Sequence, residues 1–540
     1  MYDQKFKITA LDYHGTRQRF GWQVHDCKFP IRRTSAIHSV LLCDELLRCI
    51  LFYLTEPVVD DPDEGKATLA SLALVCKNIS PLALGTSWER LDNLNPFVAL
   101  LESHSGIMTA PLSPRMREYA NYVRSIVLDS GTIPLPLLNN LDPPLFPHLR
   151  RLEWIVPPRT RVHSFKPFIV PSLAEVCVNI TSETDRQPDP EAELVTRSIL
   201  DALNTITCRC AYMSTLELVW VSGPFGSASS SILGALSLLP SLRNVSISFN
   251  LIASPSALRI LSKLPSLTSL EIRELSDLYP GGIALESIDD GFGALECMSL
   301  EGPYSLVHQI LDSMPACSVE RCAITLEGNT GEDRQKILAQ SIARKCGQTV
   351  HTLSLSFPGE IYRFDPGIPT LSVGILPTLR TMHLVNLHLE WVDSRYLTDQ
   401  HCRDMSISWP RLRVFRVRPI AVVRNPPPEM VTLSGLRHFA ENCPDLSEML
   451  LQVNAAGEHW AREADLLPTA RAYSLTTLNL TTSLVTSPEA VAIYLRRCFP
   501  SLMDLQFNKV EACMFGYSSR TIAWDQLRTL MVSDNCRSSG

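Results

Sequence analysis

The sequence predicts an α/β solenoid: a curved parallel sheet with helical or irregular segments on its convex side, preceded by a small three-helix module. Three observations carry this. A phrase made of a Pro or polar residue, a Leu, two variable residues and then two apolar residues one position apart recurs along the chain. It reads LPSLRNVSI at Leu239 to Ile247, LPSLTSLEI at Leu264 to Ile272, LPTLRTMHL at Leu376 to Leu384 and FPSLMDLQF at Phe499 to Phe507. The 540 residues exceed what one compact core organises, which favours an elongated array. Upstream of about residue 115 the phrase is absent, and leucines recur instead at the three- and four-residue intervals of a helix face.

Composition narrows the function classes. Hydrophobic residues make up 45% and charged ones 19%, as in a folded chain. The net charge of -7 supplies no general attraction to nucleic acid or to an anionic membrane, so neither is expected as a partner. No apolar run reaches the roughly 18 residues of a spanning helix, and the N-terminus lacks an apolar signal core. A cytoplasmic or nuclear location, with reduced thiols, is the expectation for the 16 scattered cysteines.

Taken in order, residues 1–35 show no period and read as a flexible lead-in. Residues 36–92 form the helical module. Leu42, Leu46, Leu47, Ile50, Leu51 and Leu54 share one helix face, the acidic stretch Glu56 to Gly65 reads as a solvated loop, and Leu69, Leu72, Ala73 and Cys76 mark a second helix. Pro81 suits the first turn of a third helix that ends near Trp88. Residues 93–118 read as a helical linker or cap, and 119–540 as the solenoid.

The phrase and its interval of about 24 to 34 residues are those of the longer leucine-rich repeats. Its first Leu, or substitute, falls at Val123, Leu149, Leu173, Met213, Leu242, Leu267, Leu295, Val319, Val350, Leu379, Leu412, Leu446, Leu475, Leu502 and Leu527. Apolar residues two apart, such as Leu270 and Ile272, point inward from a short strand, and the residue between them faces the other side. Returning helices are predicted at 194–206, 256–264, 305–314, 433–443 and 488–498. No unit buries its own core, so stability comes from neighbours.

Catalytic signatures are missing from the sequence. There is no phosphate loop, Gly-x-Ser-x-Gly elbow or His-Glu-x-x-His helix, and GFGAL at Gly291 lacks the rest of a dinucleotide pattern. Cys208 with Cys210, and Cys317 with Cys322, have no second pair at zinc spacing. No catalytic residue, metal or cofactor is therefore expected. The concave sheet face supplies the candidates for target binding, Glu217, Asn244, Glu271, Arg413, Arg416, Glu448 and Asp504, with Gln452 alongside them.

The helical module resembles an F-box. LLCDELLRCILFYL (Leu41 to Leu54) and LASLALVCKNISPLALGTSWERL (Leu69 to Leu91) carry the resemblance, through Leu42, Glu45, Leu46, Leu47, Ile50 and Leu54 and then Leu72, Leu74, Val75, Cys76, Lys77 and Trp88. Cys43 stands where the family usually has Pro, and the acidic loop lengthens the gap between helices. WERLDNLNPFVALL and YANYVRSIVL, further on, are similar to fungal F-box proteins. The resemblance implies docking to a Skp-type adaptor of a cullin-RING ubiquitin ligase, with Leu46, Leu47, Ile50, Leu51, Leu74 and Trp88 divided between the module's core and the adaptor contact. It also implies that the repeats bind a protein substrate. Leucine spacing by itself is equally that of a cap sealing a solenoid end, in which case the chain is a repeat scaffold or inhibitor without ligase partners.

Overall fold

The computed structural model describes residues 47, 50–51, 62–75, 79–104, 113–129, 144–156, 166–180, 190–220, 228–248, 256–273, 285–328, 330–357, 370–419, 427–456, 474–480, 483–507 and 518–535. The chain divides into two units, Met1–Trp88 and Glu89–Gly540.

In the first unit Leu47, Ile50 and Leu51 are helical, followed by α1 (Pro62–Val75) and α2 (Ser80–Glu89). Helix spacing places Leu47 and Leu51 one turn apart, and they close with Leu69 and Ala83 into a buried cluster flanked by Leu72, Ala73, Ile79 and Leu82. Each buried leucine contributes about 2 kcal/mol. α1 begins at Pro62, inside the acidic stretch that the sequence reads as a solvated loop; residues 56–61 lie outside the described residues. Proline's fixed φ suits a first helical turn and its missing N–H costs nothing there.

The second unit is an α/β solenoid. Its sheet opens with β1 (Arg90–Leu91), after which come α3 (Asn95–His104), α4 (Pro114–Tyr122), β2 (Ser125–Asp129), β3 (Arg151–Val156), β4 (Glu175–Ile180), α5 (Pro190–Arg209) and β5 (Thr215–Trp220). The series continues through α6 (Ala228–Leu236), β6 (Asn244–Ser248), α7 (Ala257–Ser262), β7 (Ser269–Arg273), β8 (Cys297–Pro303), α8 (Tyr304–Ser313), β9 (Arg321–Glu327), α9 (Glu332–Cys346) and β10 (Thr352–Ser356). Then follow α10 (Leu376–Leu379), β11 (Asn386–Val392), α11 (Asp399–Ser408), β12 (Val414–Pro419), α12 (Leu433–Asn442), β13 (Glu448–Leu450), β14 (Asn454–Ala455), β15 (Thr477–Asn479), β16 (Leu484–Val485), α13 (Pro488–Cys498), β17 (Asp504–Gln506) and α14 (Ser518–Asn535). Fifteen strands pair in chain order into one sheet, β1 to β13, then β15 and β17; β14 and β16 form a separate pair. Every pairing is parallel, as expected where each strand is followed by a crossover.

The phrase has a hydrogen-bonding cause. Every predicted anchor except Leu379 and Leu527 precedes the first residue of a strand by two positions. From Val123 to Leu475, the carbonyl of the residue after each strand-preceding anchor accepts two amides from the next repeat; Arg124 O, for example, takes Arg150 N at 2.7 Å and Arg151 N at 2.9 Å. The polar residue before the anchor ties back one repeat: Ser172 Oγ donates to Leu149 O, Thr349 Oγ1 to Val319 O and Ser474 Oγ to Leu446 O, each at 2.8 Å. Ser or Thr in that place satisfies a carbonyl that the strand ladder leaves over.

Both exceptions are instructive. LPTL at Leu376 to Leu379 is helix α10, with Pro377 in its first turn, and Leu384 serves as the anchor, since Val385 N and Asn386 N donate to His351 O at 2.7 and 2.9 Å. Leu527 lies on helix α14, fully buried beside Trp524, which donates from Nε1 to Ser483 O at 3.0 Å and stacks on Phe507. This helix packs on α13 and follows the last strand of the sheet, the place of a solenoid cap.

All five predicted helices form, as α5, α7, α8, α12 and α13; α6, α9 and α11 are additions. GFGAL is a packing turn. Gly291 has φ of +143°, and a Cβ there would meet Ser262 Cβ at 2.5 Å, so only glycine fits.

Candidate functional site

The residues that the sequence singles out for binding fall on two surfaces, one in each unit. In the helical module the motif residues separate by burial. Leu47 and Leu51 belong to the core, at 6% and 1% exposure, and Leu72 packs against it. Leu74 is 89% exposed and Ile50 47%, while Trp88 is half-buried at the end of α2. Val75 continues α1; Leu42, Glu45, Leu46, Leu54 and Cys76 lie outside the described residues. Apolar surface left outside so small a core gains about 25 cal/mol for each Å² that a partner covers.

On the sheet, the buried strand residues alternate with half-exposed ones, and the latter form the polar face. Six of the predicted residues stand on it: Glu217, Asn244, Glu271, Arg416, Glu448 and Asp504. Each is engaged by a neighbour. Arg273 Nε donates to Glu271 Oε1 at 2.8 Å, and its Nη1 lies 3.7 Å from Glu217 Oε1. Cys177 Sγ donates to Glu217 Oε2 at 3.2 Å. Burial first, and then the Glu217 carboxylate, push the Cys177 thiol up to about 12, so it stays protonated and a donor. Asn244 Nδ2 donates to Thr215 Oγ1 at 3.1 Å, a bond repeated between Asn386 and Thr352 at 2.9 Å. Gln506 Nε2 donates to Asp504 Oδ2 at 2.5 Å.

Further along, Arg416 forks onto Glu448, Nε to Oε1 at 2.5 Å and Nη2 to Oε2 at 2.8 Å. The pair is diagonal in the register, since Arg416 sits opposite Leu450 and Glu448 opposite Val414. His388, beside them on β11, titrates below the usual imidazole range, held neutral by burial and then by the Arg416 charge.

Two predicted residues fall elsewhere. Arg413 precedes β12 by one residue and belongs to the connecting turn: its N donates to Val385 O at 2.7 Å and its carbonyl accepts from Ser447 N at 2.9 Å. Gln452 follows β13 and is buried at 2% exposure, accepting from Ser394 Oγ at 2.5 Å. Arg273 and His388 were not among the sequence candidates. Arg273 was legible two positions after Glu271, by the same alternation; His388 was hidden by the Leu379 register.

No group of three or more His, Cys, Asp or Glu placed to hold a metal occurs among the described residues. Cys210 is buried and donates to Val170 O, whereas Cys208 is exposed, so the Cys-x-Cys pair is split by burial. No described helix is long and apolar enough to cross a membrane.

No known family profile matches the chain, and no curated protein does. Among solved structures it is similar to a chain of the Rad7 and Elc1 complex from yeast, at 12% identity and a TM-score of 0.34, covering 82% of this chain and 94% of that one. It is also similar to the leucine-rich repeat-containing protein LegL7 from Legionella pneumophila, at 12% identity and a TM-score of 0.34, covering 70% of this chain and 97% of that one.

Proposed function

We propose that the chain is a non-catalytic substrate receptor of a Skp-cullin-F-box type ubiquitin ligase. Its helical module docks the adaptor, and its repeat array holds a protein target. The observation that carries this reading is the exposure of Leu74, inside LALVCK, while the motif's Leu47 and Leu51 and the nearby Leu69 make the core. A module serving only as a cap has no use for an isoleucine and a leucine turned away from its interior. Held between adaptor and target, the chain promotes transfer by proximity: tethering raises effective concentration without any chemistry on this chain.

Substitution at Leu47 would confound a test by unfolding the module, so the variant to make is Leu74→Asp combined with Ile50→Asp. The expected result is loss of adaptor and cullin from the copurified proteins, with hydrogen-exchange protection of α1 and α2 unchanged. Full recovery of both from that folded variant overturns the proposal and leaves a repeat scaffold.

A further inference from the structure

Two thiols from neighbouring repeats meet at the junction of α8, α9 and β9. Cys346 ends α9, and Cys317 lies in the loop joining α8 to β9, 29 residues earlier; their Sγ atoms are 3.6 Å apart. Cys346 is 2% exposed, and Cys317 is half-buried and so open to a small solute. The backbone holds the two together. Cys317 N donates to Lys345 O at 3.2 Å, and Thr349 Oγ1 donates to Val319 O at 2.8 Å and to Cys346 O at 3.2 Å. Lys345 reaches over the loop, donating from Nζ to Asp312 O at 3.0 Å and to Met314 O. Other buried cysteines are spent differently: Cys210 donates to Val170 O and Cys443 to Ser406 O and Trp409 O. Among the described residues, no other pair of sulfurs is in hydrogen-bonding contact.

We propose that Cys317 and Cys346 are a redox site, which a peroxide oxidises to an intramolecular disulfide linking two consecutive repeats. Cys317 reacts first. Its thiolate attacks one peroxide oxygen, the O–O bond breaks, and the departing hydroxide takes up a proton to become water, leaving a sulfenic acid on Cys317. Cys346 then attacks that sulfur; the S–S bond forms, the S–O bond breaks, and the Cys346 proton leaves with the hydroxide as a second water. Two thiols give up two electrons and one peroxide takes them. The sulfurs must close to about 2 Å, a movement the irregular Cys317 loop can supply.

The electrostatics assign the order of attack. The Cys346 hydrogen bond, the Val319 amide and the Lys345 ammonium draw the Cys317 thiol below its ordinary value, while Cys346 is raised. Cys322, the nearest competitor, is buried on β9 and pushed up to about 12 by that burial, which keeps its thiolate scarce.

The test is to treat the full native chain with hydrogen peroxide, alkylate the remaining thiols, digest, and identify cross-linked peptides by mass spectrometry, with the exposed Cys208 as a measure of general oxidation. A Cys317–Cys346 cross-link that dithiothreitol reverses is expected, with slower hydrogen exchange in α9 of the oxidised chain. In Cys346→Ser the cross-link disappears and dimedone traps Cys317 as its sulfenic acid. Alkylation of both thiols at a peroxide dose that oxidises Cys208, or a cross-link from Cys317 to another cysteine, overturns the proposal.

Discussion

In the helical module Leu47, Leu51, Leu69 and Ala83 close on one another within a short span of chain, whereas in the array each buried strand leucine leans on its counterparts in the repeats before and after. The surfaces differ as well. The module leaves Leu74 and Ile50 to solvent, while the sheet face offers charges and amides already engaged across strands, as in Arg273 with Glu271 and Arg416 with Glu448. An apolar residue gains free energy simply by being covered, but an ion pair must exchange one partner for another. Under the proposed function, the module would supply affinity and the sheet discrimination.

The sharpest way to break this comparison is a buried charge in each unit. Leu51→Asp places a carboxylate among Leu47, Leu69 and Ala83, at a cost of several kcal/mol. Hydrogen-exchange protection of α1 and α2 should vanish while that of β2 to β13 persists. Leu353→Asp, fully buried at the middle of the array on β10, should lower protection in its own strand and in β9 and β11 together, because each repeat is supported from both sides. Loss confined to β10 would contradict nearest-neighbour support.

A smaller effect is expected at Asp399, in the first turn of α11. Its carboxylate accepts from Thr432 N and Thr432 Oγ1, both at 2.7 Å, and so fastens the start of α12 to the preceding repeat. Asp399→Ala strands both donors and should cost about 1 to 3 kcal/mol in denaturant unfolding of the array. The adaptor capture proposed for the module should be untouched.

The parts legible in the sequence are those where side-chain identity satisfies a repeated local need. Ser172 and Ser474 before their anchors and Leu270 with Ile272 on their strand are such cases. Leu379 misled because four residues of LPTL read alike as a helical turn and as the approach to a strand; only pairing with β10 separates them. Leu527 misled because an amphipathic helix also spaces leucines three and four apart. β1, two residues long, carries no period at all, and α9 is rich enough in charge to conceal its apolar face. In the module, spacing put the leucines on one helix face but did not divide core from surface, because packing against Leu69 and Ala83 makes that division. The approach of Cys317 to Cys346 depends on the stacking of two repeats, which no local motif encodes.

Acidification should weaken the array more than the module. His388, His401 and His438 all titrate below the ordinary 6.5, each chiefly because burial disfavours the charged ring. The folded state therefore binds these protons less readily than the unfolded chain does. Their contribution is intact above about pH 6.5 and is lost as pH falls from there toward the lower folded values. The urea midpoint of the array should decline across that window, and His388→Gln should flatten the decline. A midpoint that rises on acidification would reverse the sign.

The smallest effect belongs to the Arg416–Glu448 fork. Its side chains are 44% and 30% exposed, so solvent screens the attraction, and a double-mutant cycle with Arg416→Ala and Glu448→Ala should give a coupling of about 0 to 1 kcal/mol that shrinks with added salt. Glu448→Ala should do more to binding than to folding, because it releases a guanidinium on the sheet face and draws the surface toward an acidic partner. A coupling of several kcal/mol would mean that the face is a structural element of the array, and the proposed contrast between an affinity-bearing module and a discriminating sheet would fail at its weakest point.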